Sequence, residues 1–339
     1  MKAIVFRQYG SPDFMALTEV AKPVPNDNEV LVKVAAVSVN EWDWAVLHGT
    51  PFINRFETGL IRPNKQILGV DVAGRVVEVG KSVEKLRVGD EVFGDICFDG
   101  SDRFPKYRGG GFSEYVCAHE GALRKKGDSL TFEQAAALPQ AGALAVQGLL
   151  KGKVPLESSF LEKTEKTLKV LINGASGGVG TLAVQLAKAV GAEVTGVCRT
   201  SKMEWVQSLG ADNVIDYTKE DFTRCNQRYD VILDVMAFHS VFDYKRVLKP
   251  NGRYVMLGGG TIAINQVMFL GPLISLIGSK KMGLLFYKPN MGLDVLMELI
   301  NLGKVIPVIH RTFCLSETPD AFRYYGEGHT RGKIVITVD

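Results

Sequence analysis

The first chemistry legible in this chain lies where an apolar run ends in a glycine cluster: Val170-Leu171-Ile172-Asn173-Gly174-Ala175-Ser176-Gly177-Gly178-Val179-Gly180. The apolar run predicts a buried parallel strand, and the glycines a tight turn after it. Beyond the turn, Leu182, Ala183, Leu186, Ala187 and Val190 follow Val179 at spacings of three, four, seven, eight and eleven. That is one face of a helix, which Gly191 is placed to end. Strand, glycine turn and helix together offer backbone N–H groups and a positive helix end to a pyrophosphate. Ala175, Ser176, Gly177, Gly178, Val179 and Gly180 are the candidate contacts, and Gly177 and Gly180 lack the Cβ atoms that would block close approach of the phosphates and close packing of helix on strand. Ala175 stands at the first glycine position of the G-x-G-x-x-G pattern, so the spacing alone leaves an ordinary turn open.

A second group of residues would distinguish one dinucleotide from another. The run Glu193-Val194-Thr195-Gly196-Val197-Cys198 reads as the next strand, and it leads into Arg199-Thr200-Ser201-Lys202 with no acid. NAD-selective sites hold the ribose 2′-hydroxyl with an Asp or Glu at this place. Here Arg199 could grip a 2′-phosphate in a bidentate fork and Lys202 add a point charge, which favours NADPH over NADH. The alternative is that both are solvated turn residues.

The elements that must hold these groups follow from the surrounding pattern. Ser201 to Glu204 has the capping-box spacing of a helix that Leu209-Gly210 would close. Asn213–Asp216, Asp230–Asp234 and Arg253–Leu257 read as further strands. Such alternation implies a doubly wound parallel sheet with right-handed crossovers, an α/β Rossmann architecture. The first 125 residues differ. Met1–Phe6, Glu29–Val34, Gly69–Gly80 and Gly89–Gly94 are strands punctuated by glycine turns, a β-rich and partly barrel-like domain. A helix is expected over Thr131–Leu150 with Thr131 as its cap, and a polar connection over 151–167. Val267 to Leu285 is apolar and broken by Gly271 and Pro272; pocket lining, a dimer interface and contact with a membrane surface are all open for it.

Composition narrows the class. The chain of 339 residues is long enough for two domains, and a net charge of +3 with scattered basic residues does not imply nucleic acid. Five cysteines stand at least twenty residues apart without a C-x-x-C pair, so neither a zinc knuckle nor a disulfide framework is suggested, and a cytoplasmic protein is expected. The start of the chain does not read as a signal peptide, and no run is long enough to span a bilayer.

Five segments in order carry a family resemblance: Asn28–Lys33, Ser38-Val39-Asn40, Leu68–Gly74, Gly89–Gly94 and Asn173–Gly180, with Gly328–Ile336 as a closing strand. Together they resemble the medium-chain dehydrogenase/reductase superfamily, in its zinc-free quinone oxidoreductase and enone reductase branch. The resemblance implies a GroES-like catalytic domain at 1–125, a Rossmann NADP(H)-binding domain at 126–288 and a return to the catalytic domain at 289–339, with the cofactor in the cleft. It places Asn40 at cofactor and substrate, where its amide could hydrogen-bond a substrate carbonyl or a ribose hydroxyl or simply order the loop. Asp43 and Trp44 follow as further catalytic candidates, Trp44 either stacking on a planar substrate or packing. Tyr217 matches a position near the NADP phosphate, and Gly258 and Gly259 would let backbone approach the nicotinamide. His48 and His239 could donate protons, although structural histidines are commoner. Asp71 and Asp90 read as turn or backbone-bonding residues.

Departures from the zinc-dependent relatives matter as much. Asn40 or a neighbour stands where those enzymes have a Cys ligand, Gly69-Val70-Asp71 replaces Gly-His-Glu, and no Cys lies near Gln140-Ala141. A catalytic zinc needs three protein ligands, so a metal-free site is expected. Without that Lewis acid, electron-poor quinones or enones are the expected substrates. A homodimer paired through Met282–Tyr287 is the expected assembly. An NADPH-binding sensor with little turnover and an alcohol dehydrogenase are the alternatives.

Overall fold

The chain begins in strands: β1 (Lys2–Phe6) and β2 (Met15–Glu19) pair antiparallel, and β3 (Glu29–Ser38) follows. Then come α1 (Glu41–His48), α2 (Arg55–Thr58), β4 (Asp71–Val79), β5 (Glu91–Asp95), β6 (Tyr115–His119), β7 (Arg124–Lys125) and α3 (Phe132–Ala136). The middle of the chain alternates α4 (Pro139–Lys151), β8 (Lys169–Asn173), α5 (Gly178–Ala189), β9 (Glu193–Cys198), α6 (Met203–Ser208), β10 (Asn213–Asp216) and β11 (Tyr229–Asp234). It continues through α7 (Val241–Val247), β12 (Leu248–Met256), α8 (Thr261–Ile277), β13 (Lys281–Leu284) and α9 (Leu293–Asn301), before β14 (Ile309–Cys314), α10 (Thr318–Gly326) and β15 (Lys333–Thr337). This computed structural model describes residues 1–64, 66–98, 106–156 and 167–339; residues 157–166 of the expected polar connection lie outside the described residues.

Two units result. The first holds Met1–Gln140, Lys288–Asn290 and Pro307–Asp339, and the second Ala141–Tyr287 and Met291–Ile306. In the first, a seven-stranded sheet runs β14-β15-β3-β4-β5-β7, with β6 also on β3. β3 is the spine because its side chains are apolar at nearly every position, and Val30, Val32, Val34 and Val37 enter one core with Phe112, Phe322 and Ile336. The second unit is a six-stranded sheet in the order β10-β9-β8-β11-β12-β13, parallel throughout. The order reverses between β8 and β11, the switch point at which ligands bind in doubly wound sheets.

The sequence reading divides the chain after residue 125 and again after 288. In the structure α3 packs on β3, β4, β5 and β15, and so stays with the first unit. α9 belongs to the second, where a Cβ on Gly142 would run into Leu296. The single helix expected over Thr131–Leu150 is two. Thr131 does cap α3, its hydroxyl accepting from the Gln134 N–H at 3.2 Å while the Gln134 amide oxygen accepts from the Thr131 N–H at 3.0 Å. Pro139, lacking an N–H, stops α3 and opens α4. A 3-10 turn over Thr200–Lys202 runs into α6, which begins at Met203 with Lys202 rather than Ser201 at its cap position. α8 was not anticipated as a helix, because its apolar residues go all round and Gly271 and Pro272 interrupt them.

Candidate active site

At the end of β8 the chain turns on Gly174, whose φ of 83° is the left-handed conformation that side chains resist. The Gly174 and Ala175 N–H groups both donate to the Val197 carbonyl, at 3.2 and 3.1 Å. Ala175 is fully buried and its N–H is spent, so it leaves the set of phosphate contacts. The first intrahelical bond of α5 is from the Thr181 N–H to the Gly177 carbonyl at 2.9 Å. The N–H groups of Gly178, Val179 and Gly180 therefore have no acceptor within the helix. They and the positive helix end are what an anion would meet, with Ser176 beside them.

The two glycines singled out for close approach have different reasons. A Cβ on Gly180 would stand 2.1 Å from the Gly174 oxygen and 2.7 Å from the Ala175 carbonyl carbon, so Gly180 is required by the packing of α5 on its own turn. Gly177 has an ordinary φ of −82°, and a Cβ there would meet only the Gly174 oxygen, at 3.7 Å. The fold does not demand glycine at 177. The conformational freedom the turn needs sits at Gly174.

The switch point is pinned by a network that sequence reasoning missed. The Asn173 amide donates to the Asp234 carboxylate at 2.7 Å and to the Met236 carbonyl at 3.0 Å, and the Tyr254 hydroxyl donates to Asp234 at 2.8 Å. Burial pushes the Asp234 carboxyl up to about 6, and hydrogen bonds from Tyr244, Asn173 and Tyr254 oppose the rise. The visible signal was an Asn and an Asp ending the two strands that flank the reversal of strand order.

At the end of β9, Arg199 is exposed and its Nε donates to the Tyr217 hydroxyl at 3.4 Å, so these two expected residues do come together. Lys202 is buried, with 9% of its surface exposed, as the residue on which α6 begins. It is not the solvated turn residue that stood as the alternative for it. Asp216, between the two loops, accepts from Thr200 and, at 2.7 Å, from the Thr218 hydroxyl, and these bonds hold its carboxyl down to about 2. Its charge is thereby directed into the loops that carry Arg199 and Tyr217; Asp-x-Thr spacing was the cue. A cavity of about 270 Å³ opens beside Tyr217, lined also by Asp221, Phe238 and His239. The His239 ring lies 3.6 Å from the Asp221 carboxylate and 4.3 Å from the Phe238 ring centroid, a packed histidine. Gly258 and Gly259 serve the chain itself: the Ala237 N–H donates to the Gly258 carbonyl at 3.1 Å, and a Cβ on Gly259 would stand 2.7 Å from the Ala237 oxygen. Nothing in that geometry assigns them to a ligand.

The first unit contains a buried polar cluster around Asn40. Asp43 turns back from α1, one oxygen accepting from the Asn40 N–H at 3.1 Å and the other from the Gly69 N–H at 2.9 Å and the Tyr107 hydroxyl at 2.8 Å. Burial raises its carboxyl to about 6 against those donors. With no exposed surface and three donors satisfied, Asp43 holds the loop together, and the catalytic role expected of it is withdrawn. Trp44 is likewise packing: its ring lies 4.1 Å from His48 and stacks 6.4 Å from Phe322, with Gly326 making room for it. His48 Nδ1 lies 2.9 Å from the Trp44 carbonyl one helical turn back.

Lys333, delivered by β15, was overlooked as a functional residue. Its buried ammonium donates to the Val39 carbonyl at 3.0 Å and to the Asn40 side-chain oxygen, and stands 3.8 Å from Asp71. Asp71 also accepts from the Gln140 N–H at 3.1 Å and the Ser38 hydroxyl at 3.2 Å. Burial raises the Asp71 carboxyl and lowers the Lys333 ammonium, each opposed by the partner's charge. The consequence for Asn40 is orientation. Its oxygen accepts from Lys333, its Nδ2 is 3.4 Å from the Ser38 carbonyl, and its side chain also hydrogen-bonds Asp71, so the amide is held within the cluster. Among the described residues no three His, Cys, Asp or Glu side chains are grouped as a metal site would require. The carboxylates of this cluster face N–H groups, hydroxyls and an ammonium, a donor set that does not fit zinc.

Two family models match the chain: the alcohol dehydrogenase GroES-like domain over residues 26–128 and zinc-binding dehydrogenase over 209–336. The chain is 34% identical over 346 residues to the 2-methylene-furan-3-one reductase of Solanum lycopersicum, covering 99% of this chain and 79% of the relative. It is 33% identical to the chloroplastic NADPH-dependent alkenal/one oxidoreductase of Arabidopsis thaliana, with the same coverage. The solved quinone oxidoreductase of Coxiella burnetii superposes with a TM-score of 0.84 at 31% identity, covering 100% of this chain and 99% of that one.

Proposed function

This chain belongs to the medium-chain dehydrogenase/reductase superfamily, among its quinone oxidoreductases and enone reductases, and on that premise we propose that it passes hydride from NADPH to quinones or to the double bonds of enones and alkenals, without zinc. The observation that carries the choice of cofactor is the end of β9. Arg199 and the Tyr217 hydroxyl lie together there, while the nearby carboxylate of Asp216 is tied to Thr200 and Thr218. A 2′-phosphate meets a guanidinium and a phenol, and the acid that ends β10, Asp216, is held by its own loop.

Each residue then has a task. The N–H groups of Gly178, Val179 and Gly180, with Ser176 and Gly177, hold the pyrophosphate. Arg199 and Tyr217 hold the 2′-phosphate. Asn40, oriented by Lys333 and Asp71, is assigned to the oxygen of a substrate carbonyl or a ribose. When bound, the cofactor supplies the hydride. The protein positions the reactants and adds a hydrogen bond, which is enough for a substrate already electron-poor.

Zinc independence is supported by the donor set around Asp71 and Asp43, where Lys333 supplies the cation. A cytoplasmic protein fits five unpaired thiols, and a homodimer joined through the open edge of β13 fits its terminal place in the sheet. The decisive test is cofactor affinity. NADPH should bind about ten- to a hundredfold more tightly than NADH, a charge-assisted pair being worth about 1.5–3 kcal/mol. Arg199→Glu should abolish the difference. Equal affinities in the unaltered protein would overturn the assignment, and loss of quinone and enone reduction on chelation, restored by zinc, would overturn metal independence.

A further inference from the structure

The loop that follows β11 has an acceptor for each backbone N–H from Val235 to His239. Val235 donates to the Asn173 carbonyl at 3.1 Å, Met236 to the Asp234 carboxylate and Ala237 to the Gly258 carbonyl at 3.1 Å. Phe238 and His239 both donate to a single atom, the Tyr244 hydroxyl oxygen, at 3.3 and 3.4 Å. That hydroxyl is itself held. Burial and the charge of Asp234 push it well above the ordinary tyrosine range, so it keeps its proton and donates it to the Asp234 carboxylate. One donor and two acceptor positions exhaust what a phenol can offer.

The Tyr244 ring is fully buried and stacks on Tyr254, with centroids 4.5 Å apart. Ser240 caps α7, and helical side chains lean toward the N-terminus, so the ring lies back against the loop that enters its own helix. Met236 and Phe238 instead present large side chains to the outside, exposed by 62% and 57%. Phe238 and His239 line the cavity beside Tyr217, and the Phe238 and Tyr217 rings are 6.2 Å apart. The inner side of the loop therefore hangs on one buried oxygen, while its outer side forms a cavity wall.

We propose that Tyr244 is a positioning residue for the cofactor: its hydroxyl, held by Asp234, fixes the loop 235–239 so that Phe238 and His239 stand as a ready-made wall for the adenosine end of the dinucleotide. That role rests on the assignment of Arg199 and Tyr217 to the 2′-phosphate, which puts the adenosine in the cavity beside them. Without the hydroxyl, two amides lose their acceptor and the loop spreads over several arrangements, only a fraction of them competent to bind. The hydride is transferred at the other end of the cofactor, so its rate is unaffected once the cofactor is bound.

The experiment is Tyr244→Phe, which keeps the stacked ring and removes the oxygen alone. Kd for NADPH and for NADH should rise by the same factor, about tenfold, and KM for NADPH with them, while kcat at saturating cofactor is unchanged. Amide exchange at Phe238 and His239 should quicken, with that of β8 and β11 unaltered, which a general loosening of the fold would not give. Phe238→Ala, at an exposed site, should weaken both cofactors as well. The double variant should lose less than the two single losses combined, because both act on one wall. Normal affinity in Tyr244→Phe or in Phe238→Ala overturns the proposal; so does a loss confined to NADPH, or a kcat that falls in step with kcat/KM. Arg199→Glu keeps the two assignments apart. If it removes the preference for NADPH while Tyr244→Phe binds normally, the phosphate site stands and the wall alone is wrong. If Arg199→Glu changes nothing, the phosphate assignment fails, and the paired losses in Tyr244→Phe and Phe238→Ala still decide the wall.

Discussion

Gly177 and Gly180 stand three residues apart in the same turn, and the structure predicts opposite consequences for adding one methyl group to each. At Gly180 the new Cβ would stand 2.1 Å from the Gly174 oxygen, more than 1 Å inside an ordinary contact. The first turn of α5 must move off its own loop. Overpacking of this kind costs about 1–3 kcal/mol, more than the ~1 kcal/mol that alanine gains over glycine inside a helix. Gly180→Ala should therefore lower the melting temperature. At Gly177 the backbone is already in a region open to any residue and the Cβ touches nothing closer than 3.7 Å. The entropy gained by restricting the unfolded chain is about 0.4–1 kcal/mol, and alanine loses a few tenths or more as a helix cap, so stability should barely change. The methyl would, however, occupy the space assigned to the pyrophosphate. A loss of tenfold or more in NADPH affinity is expected, at least about 1.4 kcal/mol. Thermal melts and fluorescence titration of NADPH measure the two effects separately. If Gly177→Ala binds NADPH normally, the phosphate has been put in the wrong place; if Gly180→Ala melts with the unaltered protein, the packing account of that glycine is wrong.

Lys333→Met should lower stability by about 3–5 kcal/mol in urea denaturation by leaving Asp71 buried without its cation, and adding Asp71→Asn should recover part of the loss. In the pH dependence of folding, Asp43 and Asp234 are raised to about 6 from ordinary values near 4, so the folded protein holds protons the unfolded chain has released. Stability should accordingly fall as pH rises from about 4 through 6, by of order 2–3 kcal/mol per group, and melting at pH 5.5 should occur above that at pH 7.5. Asp234→Asn should shrink that difference; an unchanged difference would remove Asp234 as a cause.

The sheet of the second unit was legible because its strands are short apolar runs separated by glycine and by helical periods, and parallel sheets buried on both faces leave that signature. Glycine spacing located the turn at 174–180 and offered close approach and helix packing for Gly177 and Gly180 together, but could not divide the two reasons between them, since spacing carries no φ and no neighbours. α8 escaped detection because periodicity shows a helix only when one of its faces is polar. In the first unit the reactive-looking types misled: Asp43 and Trp44 are consumed by donors and packing that arrive from Gly69, Tyr107 and Phe322, far along the chain. Lys333 was invisible for the same reason. A lysine in a strand reads as solvated until the strand is known to run against Ser38 and Val39.

That lysine also sets an order in time. Asn40, Asp43 and Asp71 are synthesised early, and β3, β4 and β5 pair with one another without help from the end of the chain. The ammonium that balances Asp71 and turns the Asn40 amide arrives on β15, after the whole of the second unit has been made. The orientation of the Asn40 amide thus depends on a strand that lies 293 residues further along the chain.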